Sequence, residues 1–118
     1  MFDPASLNYD ARGLVPAIAQ EEGTGEVLMM AWRNETALRA TLETGRVTYW
    51  SRSRQALWVK GETSGHVQEL VDLRVDCDHD CLLVIVRQTG PACHTNRKSC
   101  FFTAIRDRAE VELTRPVD

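Results

Sequence analysis

The stretch that decides the fold reads Val71-Asp72-Leu73-Arg74-Val75-Asp76-Cys77-Asp78-His79-Asp80-Cys81-Leu82-Leu83-Val84-Ile85-Val86. Val71, Leu73 and Val75 alternate with Asp72, Arg74 and Asp76, the period-two pattern of a strand with one face on a core. An unbroken apolar run follows from Leu82 to Val86, which predicts a fully buried strand over 81–88. Between them, Asp76-Cys77-Asp78-His79-Asp80 mixes three hard carboxylates with a soft thiolate. Carboxylates suit Mg²⁺, Ca²⁺ or Mn²⁺, whereas thiolates suit Zn²⁺. If the chain stays extended through Asp80, the aspartates point to one side and Cys77 and His79 to the other.

Outward from this stretch the strand signals continue. Residues 14–20 read as a short strand whose Pro16 predicts an edge or a bulge. Gly23-Thr24-Gly25 is a turn, and 27–32 reads as a buried strand. Asn34 caps a helix over 35–44 that Gly45 ends, with Ala37, Leu38, Thr41 and Leu42 on one face. Strands over 47–50 and 57–60 follow, then a loop over 61–65. Residues 89–100 form a polar loop carrying Gly90-Pro91, and 101–105 reads as a last strand. The fold class is mainly β, with about six strands and one helical connection in a single domain over 1–118.

Composition bounds the function. The 118 residues allow one modest core, and 43% hydrophobic and 26% charged residues are ordinary for a globular protein. A net charge of −3 with no basic run offers no field for nucleic acid. The longest apolar run is strand-sized, so no membrane span is expected, and Met1-Phe2-Asp3-Pro4 has no signal-peptide pattern. The expected compartment is the cytoplasm, where four cysteines read as thiols or metal ligands before disulfides.

Cys77, Cys93 and Cys100 would make a three-thiolate zinc site that leaves a position for water, the catalytic pattern. Adding Cys81 would close a structural site with four thiolates, and spacing alone does not choose between them. The plainer readings are a solvated aspartate turn and a cysteine buried as a small hydrophobe, which suits Cys81. Cys93 and Cys100 lie instead in a polar loop with His94, Thr95, Asn96, Arg97 and Lys98. His94, beside Cys93, and His66 are the candidate general bases, because imidazole titrates near working pH. Tyr49-Trp50-Ser51-Arg52-Ser53-Arg54 carries two guanidinium forks that suit phosphate. The glycine-bounded loop from Lys60 through Ser64 to His66 could admit a phosphate to its backbone, or be a hairpin connection.

These residues resemble a known family. Gly13-Leu14-Val15-Pro16-Ala17-Ile18, Val27-Leu28-Met29-Met30-Ala31, the Tyr49 to Arg54 segment, Leu57-Trp58, Lys60-Gly61-Glu62, Ser64-Gly65-His66, Asp76-Cys77-Asp78 with Asp80, Gly90-Pro91-Ala92-Cys93-His94-Thr95 and Ser99-Cys100-Phe101 resemble the stand-alone phosphoribosyl-AMP cyclohydrolases of histidine biosynthesis. The resemblance implies a small barrel-like mixed sheet in an intertwined homodimer. It implies Mg²⁺ at Asp76, Asp78 and Asp80, and Zn²⁺ at Cys77, Cys93 and Cys100 with ligands from both subunits. It implies hydrolysis of the N1–C6 bond of a nucleotide substrate bearing two phosphates, for which Arg52, Arg54, Lys60 and Ser64 are candidate contacts. His94 is the first choice for proton transfer and His66 the second. A non-catalytic zinc-stapled binding domain, or a metal hydrolase of another cyclic amidine, are the rival readings. Asn96 stands where that family usually has glycine, and Cys81 where it has a smaller residue or threonine.

Overall fold

The computed structural model describes residues 1–117. A 3-10 turn at Pro4–Ser6 leads into β1 (Val15–Glu21) and β2 (Val27–Arg33), then α1 (Glu35–Thr44). Four strands follow: β3 (Thr48–Ser51), β4 (Ala56–Val59), β5 (Gln68–Val75) and β6 (Leu82–Gln88). A hairpin of β7 (Thr103–Arg106) and β8 (Ala109–Glu112) comes last among the elements. The first six strands form one sheet in the order β4-β3-β2-β1-β6-β5, and only β1 and β6 pair in parallel. The sheet curls until its last strand meets the chain entering β3. Arg46 bridges Glu69 there, Val47 N–H donates to the Gln68 carbonyl (3.0 Å), and Leu70 N–H to the Gly45 carbonyl (2.8 Å). The result is a half-barrel, the shape a twisted sheet takes when its edges approach.

The concave face is the core: Val15, Ala17 and Ala19 of β1, Leu28 of β2, Tyr49 of β3, and Leu82, Val84 and Val86 of β6. Helix α1 plugs it with Ala37, Leu38 and Thr41, while Leu42 stays exposed. Asn34 Oδ1 accepts from Ala37 N–H (2.8 Å), and Gly45, at φ 73°, ends the helix as expected. The Thr41 hydroxyl bonds the Ala37 carbonyl (3.0 Å) and accepts from Thr48 N–H (2.9 Å), pinning helix to sheet.

The structure corrects several sequence expectations. Strand β6 is not fully buried: Leu83 and Ile85 are half-exposed, because a single curled layer leaves its convex face uncovered. Val27 and Met30 of β2 are exposed for the same reason. Pro16 sits in a central strand, neither at an edge nor at a bulge. Pairing with β6 begins only at Ala17, so the missing N–H costs no bond in that ladder, and the bulge falls at Ala19/Gln20. The chain is not extended through Asp80. Strand β5 ends at Val75 and Asp76 to Asp80 turn, with His79 at φ 57°. The expected last strand is a hairpin, whose return strand β8 was not anticipated. Among the described residues no helix is long and apolar enough to cross a membrane.

Candidate functional site

The β5–β6 turn gathers the carboxylates. Asp76 Oδ1 accepts from Asp80 N–H (2.9 Å) and Cys81 N–H (3.1 Å), and His79 N–H donates to the Asp76 carbonyl (3.0 Å). Asn8 braces the outside, its amide donating to the Asp78 carbonyl (2.9 Å) and its N–H to the His79 carbonyl (2.8 Å). Asp76, Asp78 and Asp80 thereby bring one carboxylate oxygen each within 4.8 Å of one another. The backbone N–H of Asp80 leads the interactions that hold Asp76 below its ordinary range. The Asp76 side chain, and then the neighbouring negative charges, push Asp80 above its own. Three exposed hard oxygens under mutual repulsion are a donor set that a small divalent cation fits. The turn, rather than strand alternation, makes this grouping.

The cysteine loop leaves the other end of β6. It is a tight structure: Ala92 N–H donates to the Lys98 carbonyl (3.1 Å), Cys93 N–H to Arg97 (3.0 Å), and Asn96 N–H to Cys93 (3.0 Å). Asn96 adopts φ 64°, the left-handed conformation that asparagine accepts more readily than most residues. Cys100 N–H donates to the Leu28 carbonyl (2.7 Å) and the Ser99 hydroxyl to Val27 (2.7 Å), tying the loop to β2. Cys93 and Cys100 lie near enough for each thiol to shift the ionisation of the other, and Cys93 Sγ lies 3.0 Å from the Thr95 hydroxyl. Burial opposes ionisation of Cys93, but bonds from Thr95 and Cys100 and the charge of Arg97 outweigh it and lower its pKa. Cys100 is exposed as a residue, yet desolvation of its sulfur and then the Cys93 charge push its thiol up to about 11. The pair is thus polarised, one sulfur readier to ionise than the other.

Cys77 does not join them. It is exposed in the aspartate turn, and the length of β6, roughly 20 Å at 3.3 Å per residue, separates the ends from which the two segments depart. Among the described residues, no trio of converging metal-ligating groups includes a cysteine. Cys81 also lies at the aspartate end, its thiol raised first by burial and then by Asp76 and Asp80.

Of the candidate bases, His94 lies within the cysteine loop and His66 packs against it. His94 is exposed beside Cys93. The ring of His66 packs on Gly90, where an added Cβ would lie 2.6 Å from His66 Cδ2. Lys60, just past β4, turns inward: its ammonium donates to the Ala92 carbonyl (2.5 Å) and lies 5.7 Å from the Trp58 ring centroid. Ser64 is exposed on the 61–65 loop. Arg52 and Arg54 are exposed in the β3–β4 turn, and the Arg52 guanidinium stacks 4.6 Å over Trp32. That stack borders an open cleft of about 610 Å³, lined also by Arg12, Trp50, Ser51 and Trp58. Sequence reasoning missed Arg12 and Thr95. Thr95 had a signal, sitting two residues from Cys93, whereas nothing in the sequence links Arg12 to this cleft.

These features define a mainly β domain, a curled six-stranded sheet with a two-stranded hairpin, that carries a thiol pair and a carboxylate trio as candidate metal ligands. The chain belongs to the phosphoribosyl-AMP cyclohydrolase family, whose family model matches residues 29–102. A Ruegeria pomeroyi protein named phosphoribosyl-AMP cyclohydrolase is 74% identical over 116 residues, covering 98% of each chain. Proteins of that name from Jannaschia sp. (74% over 115 residues; 98% of this chain, 97% of the relative) and Dinoroseobacter shibae (73% over 116; 98% of each) are similar to it.

Proposed function

We propose that this chain hydrolyses the N1–C6 bond of 1-(5-phosphoribosyl)-AMP, opening the adenine ring in the third step of L-histidine biosynthesis. The observation that carries the reading is the loop that holds Cys93 and Cys100 against β2 beside His94, in a chain 74% identical to a relative named for that activity. Cys93 and Cys100 would hold Zn²⁺, with Cys77 as third ligand, and Asp76, Asp78 and Asp80 would hold Mg²⁺. Zinc, when bound, supplies a water that is acidic enough to act near neutral pH.

The remaining chemistry belongs to side chains. Ribosylation at N1 leaves C6 electron-poor, so water adds there and the N1–C6 bond breaks. The oxygen stays on C6 as a carboxamide and a proton goes to N1. His94 takes the proton from water and returns it to N1, with His66 as the reserve candidate. Arg52, Arg54 and Ser64 face solvent and are available to the two phosphates. Because Cys77 and the Cys93–Cys100 pair leave β6 from opposite ends, the site is completed by Cys77 of a second copy, which makes the working unit a homodimer in the cytoplasm.

One assay tests the core of this reading. The protein incubated with phosphoribosyl-AMP should change its ultraviolet absorbance as the ring opens. A chelator should stop the change and zinc should restore it. A zinc-loaded protein with no turnover would leave a metal-stapled binding domain in its place.

A further inference from the structure

The surroundings of Lys60 differ from those of the arginines it accompanies in sequence. Its backbone is fixed, because Lys60 N–H donates to the Val47 carbonyl (2.9 Å) as β4 ends. Its side chain runs past the Trp58 ring and ends on the carbonyl of Ala92, a residue only 2% exposed. That carbonyl and the Cys93 N–H belong to the same planar peptide. Lys60 holds the plane at its oxygen, and the Arg97 carbonyl holds it at its N–H (3.0 Å). A peptide held at both ends resists rotation, which fixes the plane from which the Cys93 Cα and its side chain depart.

We propose that Lys60 is a positioning residue of the thiol site: its ammonium locks the Ala92–Cys93 peptide plane and so aims the Cys93 sulfur at Cys100. The inference rests on the reading that these two cysteines hold zinc. It gives Lys60 a different task from Arg52 and Arg54. An ammonium engaged with a main-chain carbonyl over an aromatic ring is not offered to a phosphate in solvent. The bond is charge-assisted, which makes it stronger than a neutral one. It acts one shell away from the metal ligands, where losing a partner typically weakens metal affinity about 10- to 100-fold.

The test compares K60M with K60R in the full-length protein. Zinc affinity is read by competition with a chromophoric chelator, kcat and KM at saturating zinc, and amide exchange of Cys93 in metal-free protein. K60M should bind zinc about 10- to 100-fold more weakly. It should keep the wild-type KM once zinc is saturating, and speed exchange of the Cys93 amide by more than its fall in global stability accounts for. K60R, which retains a charged donor, should recover part of both losses. A raised KM in K60M with zinc affinity and Cys93 exchange unaltered would overturn the proposal and return Lys60 to the phosphates. If the wild-type protein binds no zinc, the proposed function fails separately. The exchange comparison then still decides whether Lys60 orders the peptide, and unchanged exchange rejects it. Should K60M unfold, K60R against wild type carries the same comparison.

Discussion

Arg33 is the residue that least fits its place. It is fully buried at the end of β2, with Nε donating to the Thr48 carbonyl (3.1 Å) and its guanidinium carbon 5.1 Å from the Tyr49 ring centroid. Among the described residues Nη1 and Nη2 have no hydrogen-bond partner, and burial lowers the pKa of the group. A buried cation with two unsatisfied nitrogens carries a desolvation cost that one hydrogen bond and a ring face do not offset. Arg33→Met keeps the length and the apolar stem, and should leave the protein as stable or up to about 2 kcal/mol more stable. A urea midpoint that falls in the variant would show the charge to be stabilising. Its neighbour Tyr49 gives a pH test. Complete burial pushes its phenol up to about 12 from the ordinary 10.0, while its hydroxyl donates to Gln68 Oε1 (2.8 Å). Because the folded state favours the neutral form, this stability is fully present below pH 10 and is lost as pH rises towards 12. The loss amounts to about 2–3 kcal/mol. Urea melts between pH 8 and 12 should show that decline in the wild type and a flatter profile in Tyr49→Phe. Equal slopes would place the alkaline sensitivity elsewhere. Among the cysteines, Cys93→Ala should lose zinc and lower turnover about 100-fold or more, since a first ligand matters more than its supports. Cys81→Ala, at the aspartate end, should keep both by metal analysis and assay. Zinc loss there would favour a site closed by four thiolates.

At the scale of elements, the loops rather than the strands decide whether the site assembles. The 61–65 loop and the cysteine loop touch through His66 at two glycines. A Cβ at Gly61, φ 81°, would fall 2.3 Å from the His66 carbonyl carbon, whereas at Gly90, φ 67°, it would meet the His66 ring. A ring can swing aside and a backbone cannot. Gly61→Ala should therefore cost about 3 kcal/mol or more, and Gly90→Ala about 1–2 kcal/mol. Gly90→Ala should still shift kcat by displacing His66. Equal midpoints for the two variants would refute the contact argument. The same contrast explains what was legible beforehand. Apolar periodicity and caps are local, so α1 and most strands of the sheet could be read to within a residue or two. Strand β8 escaped because its turn, Asp107-Arg108, adopts φ 50° and 65° without a glycine to announce it. Pro16 misled because its missing N–H matters only once the parallel partner is known, and that pairing is a long-range fact. The aspartates were legible as a group but not as a turn, since the bond from Asp80 N–H to Asp76 Oδ1 ends the strand against its own alternation. Cys93 and Cys100 pair through their loop's bonds to β2, which no spacing encodes.

For the whole molecule, the proposed zinc site raises the question of where a third thiolate would come from. One chain offers the Cys93 and Cys100 sulfurs at one end of β6 and those of Cys77 and Cys81 at the other, roughly 20 Å apart along the strand. A homodimer resolves this if each copy lends Cys77 to its partner's pair, because two-fold symmetry makes every such loan mutual. The convex face supplies apolar area for an association, with Met30 and Val71 exposed and Ile18, Leu83 and Ile85 half-exposed. Subunit complementation separates this arrangement from one in which each chain closes its own site. Cys77→Ala and Cys93→Ala homodimers each spoil both sites and should be inactive alone. In a mixed dimer both lesions fall in one site only if the lent Cys77 and the Cys93 pair come from different chains. The other site is then intact. Random exchange of equal amounts makes half the dimers mixed, so roughly a quarter of wild-type activity should return. Activity should rise at the rate of subunit exchange, followed by mass spectrometry of labelled chains. If mixed dimers form and stay inactive, each chain's Cys77 must reach its own Cys93, and the strand-length argument would be wrong.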